Sequence, residues 1–106
     1  MKTFVALLEF APDALERRGP LREEHLRRFM AHRDAGKIVA SGPWAESYDG
    51  ALIIFRAESR DEVEQFITED PYYAAGLWPS FRIREWTPIT LSTDAFDAVA
   101  REAAGQ

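Results

Sequence analysis

Apolar positions along the chain fall into runs of two periods, and the periods alternate. Residues 3–10, TFVALLEF, are apolar at almost every position and rich in β-branched and aromatic side chains, as in a strand covered on both faces. The stretch DALERRG, between Pro12 and Pro20, reads as a short helical turn or loop. Over residues 21–35, LREEHLRRFMAHRDA, the period changes. Leu26, Phe29, Met30 and Arg33 recur at i, i+3, i+4 and i+7 on one helical face, with Pro20 at the entrance and Gly36 at the exit. KIVASGPW (37–44) predicts a second strand ending at Gly42-Pro43, ESYDG a turn, and ALIIFRA (51–57) a third strand that is again doubly apolar. Ser59 and Glu62 have the spacing of a capping box, which opens a helix whose buried stripe is Val63, Phe66 and Ile67. SFRIREWTP (80–88) alternates strictly and predicts a fourth strand.

The order β-α-β-β-α-β predicts an α+β, ferredoxin-like fold: a four-stranded antiparallel sheet with its helices on one face. Helices on one face leave the other open, yet strands 3–10 and 51–57 are apolar on both. A soluble monomer rarely exposes such a surface, so a homodimer packed sheet on sheet is expected. Residues 1–90 form the predicted domain. Residues 91–106 are a tail with a short helix from about Asp94, carrying Phe96 and Val99 three apart.

Composition narrows the class. A chain of 106 residues with 46% hydrophobic content fits one packed domain. It has no cysteine, which removes disulfides and thiolate metal sites and fits a cytoplasmic location. The net charge of −5 argues against a nucleic-acid partner, although arginines cluster at 17, 18, 22, 27 and 28. No run approaches a membrane span, and Glu9 and Asp13 interrupt the N-terminal apolar run, which reads as a strand rather than a leader.

The two histidines, His25 and His32, both lie on the first helix. At 100° per residue His25 sits about 90° from the centre of the apolar stripe, at the border between core and solvent. Imidazole titrates near neutral pH, which suits proton transfer. A helix histidine among Glu23, Glu24, Arg27 and Arg28 is equally a solvated surface residue, and spacing alone favours that reading. Asp70, in EDPYYAAGLWPS, also reads two ways. Asp before Pro71 is fully explained as the cap of a one-turn helix ending near Gly76. The two helices lie side by side on one sheet face in this fold, so Asp70 is also placed to meet His25. Trp44, Tyr72, Tyr73 and Trp78 are read either as the lining of an aromatic-friendly pocket or as ordinary packing. Two histidines without a third ligand make no zinc site, and there is neither a phosphate-cradling glycine loop nor a G-x-S-x-G elbow, so no metal and no cofactor are expected.

REEHLRRF, DAGKIVASGPW, the capped second helix and EDPYYAAGLWPSFRIREW, in that order and spacing over residues 2–88, resemble the YciI-like (YCII-related) family. The resemblance implies a ferredoxin-like domain pairing as a dimeric α/β barrel, with a histidine and an aspartate as an active-site pair. By resemblance these are His25 in EEHL and Asp70 in DPY. Arg22, three residues before the histidine, and Ser41 and Gly42, at the strand end, lie beside the implied pocket. The implied function is a cofactor-independent enzyme transferring protons on a small molecule, of the lyase, dehydrohalogenase or isomerase type. The alternative is a non-catalytic dimeric module that binds a small aromatic or acidic metabolite, or an accessory domain with no ligand.

Overall fold

The computed structural model describes residues 1–105. Its elements are β1 (Lys2–Glu9), α1 (Ala14–Arg17), a 3-10 turn (Gly19–Leu21), α2 (Arg22–Asp34), β2 (Ile38–Pro43), β3 (Gly50–Ala57), α3 (Arg60–Thr68), α4 (Pro71–Ala74), β4 (Ser80–Glu85) and α5 (Thr93–Ala104). The sheet order is β2-β3-β1-β4 with every pair antiparallel, the ferredoxin-like arrangement that the run of periods predicts.

Alternation divides the sheet into two faces. Phe4, Ala6 and Leu8 of β1, with Ile53 and Phe55 of β3 and Ile83 of β4, are buried beneath the helices. Val63, Phe66 and Ile67 of α3 and Tyr72 of α4 meet them from above, as the stripe on the second predicted helix requires. The opposite face pairs Val5 with Ile54 and Leu7 with Leu52, flanked by Arg84 and Arg82 of β4. Among the described residues no helix packs on that face, and Leu7 is 37% exposed there.

β2 carries one irregularity. Between Ile38 and Ala40 the register against β3 slips by one residue, a β-bulge that leaves Val39 unpaired and 46% exposed. Ile38 lies opposite Phe55 on the covered face, Ala40 opposite Ile54 on the open one, and Ser41 opposite Ile53 on the covered one again.

Two local expectations are corrected. The face of α2 turned to the protein is not centred on Leu26, Phe29, Met30 and Arg33. The side chains touching α3 and α4 are His25, Arg28, Phe29 and His32, while Met30 is 48% exposed. Their spacing is also i, i+3, i+4, i+7, but histidine and arginine score as polar and hide the stripe from a hydropathy pattern. Ser59 does cap α3 by accepting from Glu62 N, but Glu62 returns its carboxylate to Glu58 N and Lys37 Nζ rather than to the Ser59 amide. The tail folds as α5, capped by Ser92, with Phe96 and Val99 exposed.

Candidate functional site

Asp70 is the one charged residue fully withdrawn from solvent among the described residues. It stands in extended conformation between α3 and α4, and Pro71 opens α4 in the first helical position. Its Oδ1 accepts from the Tyr72 amide at 2.9 Å, which is the predicted cap. The same carboxylate accepts from His25 Nδ1 at 3.1 and 3.2 Å and from Arg28 Nη1 at 2.8 Å. A buried carboxylate therefore has three donors, two of them on α2 one turn apart.

Three aromatic rings hold the His25 ring. Its ring stacks on Tyr72 with centroids 3.9 Å apart and planes within 5°. Phe29 lies against it at 4.4 Å, and Trp78 presents an edge at 5.6 Å. Gly76, at φ +78°, ends α4 and turns the chain so that Leu77 and Trp78 enter the core beside it. An ionised carboxylate only accepts, so Nδ1 carries the hydrogen, and Nε2 has no partner among the described residues.

His25 borders a cavity of about 320 Å³ between α2, the 3-10 turn and the β2 edge of the sheet. Leu26, Phe29, Met30 and Arg33, the stripe expected to meet the core, all line it, as do Arg22, Tyr72 and Trp78. Ser41, Gly42 and Pro43 form the opposite wall, and Phe10, Arg18 and Tyr48 close one end. Among the described residues no carboxylate lines it. Burial raises the titration of the Tyr72 hydroxyl above its ordinary value, with Arg22 near enough to oppose this but without hydrogen-bonding geometry.

Of the sequence candidates, the structure brings together His25, Asp70, Arg22, Ser41, Gly42 and Tyr72 at or beside this cavity. It does not bring Trp44 or Tyr73. Trp44 lies over the Gly50 backbone, where a Cβ would meet its indole nitrogen at 2.9 Å, and lines a separate shallow depression. Tyr73, next to Tyr72, turns away to pack edge-on against Phe81. Sequence reasoning missed Arg28 as a partner of Asp70. Its position three after His25 was the available signal, since both project from one face of a helix. It also missed Tyr48 and Phe10, which arrive from loops. Among the described residues no three His, Cys, Asp or Glu side chains gather as a metal site, and no helix is long and apolar enough to cross a membrane.

Residues 2–87 match the family model described as the YCII-related domain. Protein YciI of Escherichia coli is 25% identical over 95 residues, covering 81% of this chain and 97% of that one. Fusaric acid biosynthesis protein 2 of Gibberella moniliformis is 23% identical over 81% of this chain and 91% of its own length. Among solved structures, the 5-chloro-2-hydroxyhydroquinone dehydrochlorinase TftG of Burkholderia phenoliruptrix, in complex with 2,5-dihydroxybenzoquinone, superposes with a TM-score of 0.69 and 27% identity. The match covers 80% of this chain and 93% of that one.

Proposed function

The chain belongs to the YCII-related domain family, and from that premise we propose that it is a cofactor-independent enzyme that moves a proton on a small molecule, with His25 as general base and acid and Asp70 as its partner. The observation that carries this reading is the His25 Nδ1 contact with the buried Asp70 carboxylate, on the wall of a cavity lined by apolar and cationic groups. Asp70 fixes the tautomer with hydrogen on Nδ1 and offsets the charge of the imidazolium that forms when Nε2 takes a proton. Arg28, bound to Asp70 Oδ2 and to the Phe66 carbonyl, holds the carboxylate in place. Nε2 then takes a proton from the ligand. It returns that proton to a second position in an isomerisation; in an elimination from a chlorinated hydroxyarene it takes a hydroxyl proton and delivers it to the chlorine-bearing carbon, after which chloride leaves with the C–Cl electron pair as a second hydroxyl loses its proton to solvent. Similarity to a dehydrochlorinase favours the elimination. Arg22, Ser41, Gly42 and Tyr72 are the binding residues in this reading, and Trp44 and Tyr73 have no part in it.

The reading includes a homodimer. The cross-strand pairs Val5–Ile54 and Leu7–Leu52 form an apolar face that a second sheet of the same kind would cover.

The test is turnover of chlorinated hydroxyarenes, 5-chloro-2-hydroxyhydroquinone among them, read as chloride release and as deuterium uptake from solvent. His25→Ala is expected to lower the rate by ~10²–10⁴-fold with the fold intact. A rate indifferent to His25, or abolished by a chelator, refutes the mechanism.

A further inference from the structure

Five arginines stand between residues 17 and 28, and their pairing is uneven. Arg17 bonds Asp13, Arg27 bonds Glu24 and Arg28 bonds Asp70. Arg18 and Arg22 meet no carboxylate among the described residues, and both line the cavity. Arg33, also on the wall, is engaged with Asp34. Arg18 reaches only the Tyr48 ring and hydroxyl, at 5.0 and 3.4 Å. In a chain with five more acidic than basic residues, two cations left without acids on a wall that has no carboxylate among the described residues leave positive charge uncompensated at that place.

A second observation, of a different kind, points the same way. Tyr72 is 2% exposed, and its hydroxyl is the one buried side-chain polar atom with no hydrogen-bond partner among the described residues. Orphaned buried hydroxyls are uncommon because each forfeits its bonds to water. Arg18, Arg22 and Tyr48 line the same cavity as Tyr72, so their donors open onto the space this ring borders. The remaining wall toward His25 is aromatic, with Phe29 and Trp78.

We propose that Arg18, Arg22 and the Tyr72 hydroxyl form an oxyanion subsite, so that the ligand is a small planar arene bearing an anionic oxygen group, its charge at the arginines and its ring against the Phe29 and Trp78 wall. This rests on the cavity being the ligand site, as above. It adds that binding is selected by charge at the end of the cavity built by residues 18–22.

Benzoate and its neutral isostere benzamide are the probes, with cyclohexanecarboxylate as the non-planar anion, titrated by ligand-observed NMR. Benzoate is expected to bind at least about tenfold tighter than benzamide, as one or two charge-assisted hydrogen bonds require. Arg22→Gln, at an exposed position, should weaken benzoate about ten- to a hundredfold and leave benzamide within about twofold. Tyr72→Phe keeps the ring stacked on His25 and removes only a hydroxyl that bonds nothing in the protein. It should leave the denaturation midpoint unchanged or raised while lowering benzoate affinity about tenfold. A merely structural tyrosine would show the reverse.

Equal binding of benzoate and benzamide, no saturable benzoate binding, a preference unmoved by both variants, or equal binding of cyclohexanecarboxylate would overturn the proposal. His25→Ala separates it from the proton-transfer reading. If turnover is untouched while the benzoate preference persists, the mechanism fails and the subsite stands.

Discussion

Replacing Asp70 by Asn and by Ala separates two jobs of one side chain. Asn keeps an oxygen for the Tyr72 amide, since Asn caps a helix about as well as Asp, but it removes the charge facing Arg28. The Arg28 side chain is only 15% exposed, so its guanidinium is left largely buried without its carboxylate. Breaking a buried pair by deleting one partner costs about 3–5 kcal/mol in general. Here Arg28 retains the Phe66 carbonyl and the Phe66 ring, at 3.0 and 4.3 Å, so ~2–3 kcal/mol is expected for Asn, at or just below that range. Ala adds the lost cap, ~1 kcal/mol, for a total of ~3–4 kcal/mol. Domains of this size have about 5–15 kcal/mol in all, so both changes are readily seen in urea denaturation at fixed protein concentration. A double-mutant cycle with Arg28→Met isolates the pair. Asn within ~0.5 kcal/mol of the parent removes the case for a buried pair, by the measure that neutral surface changes set. Equal losses for Asn and Ala remove the case for the cap.

Acid sensitivity should trace to His32. It stacks on Phe66 at 4.0 Å, and its proton affinity is lowered by burial, then by Lys37 and Arg28, with Glu62 opposing. The folded state therefore binds fewer protons than the unfolded chain just below the ordinary value of 6.5. Stability is full above that pH, falls as pH drops toward the lower folded value and levels off beneath it. His32→Gln should flatten the change in urea midpoint between about pH 7.5 and 5.5, and an unchanged slope would place the sensitivity elsewhere. The sheet face offers a simpler test. Leu52→Lys or Ile54→Lys places a charge among Val5, Leu7 and their partners, and sedimentation should then show a monomer where the parent sediments as a dimer. A parent that is already monomeric refutes the pairing.

The strands were legible because a two-residue period with apolar neighbours has few alternatives, and Asp70 was legible because Asp-Pro is a helix start whatever else it does. The working face of α2 was not. Hydropathy treats His25, Arg28 and His32 as solvent-facing. Their burial depends on flat cationic or aromatic groups stacking on Tyr72 and Phe66, a contact that only the folded chain supplies. The stripe read as core became the cavity wall for the same reason: with the polar-aromatic face turned inward, Leu26 and Met30 are carried round to the opening. The division between Tyr72 and Tyr73 was likewise invisible, because adjacent residues on a one-turn helix differ only in direction.

The slip at Val39 decides which side chains the cavity sees. Had β2 paired regularly from Ile38 onward, Ala40 and Gly42 would face the helices, and Ser41 and Pro43 would lie on the open side. The hydroxyl opposite His25 is thus set by the number of residues between Ile38 and Pro43 as much as by their identity. Substitutions along this edge alter the wall one group at a time, and loss of Val39 would only straighten the strand, whereas loss of Ala40 with the bulge kept would exchange the wall for the sheet's outer surface at one stroke.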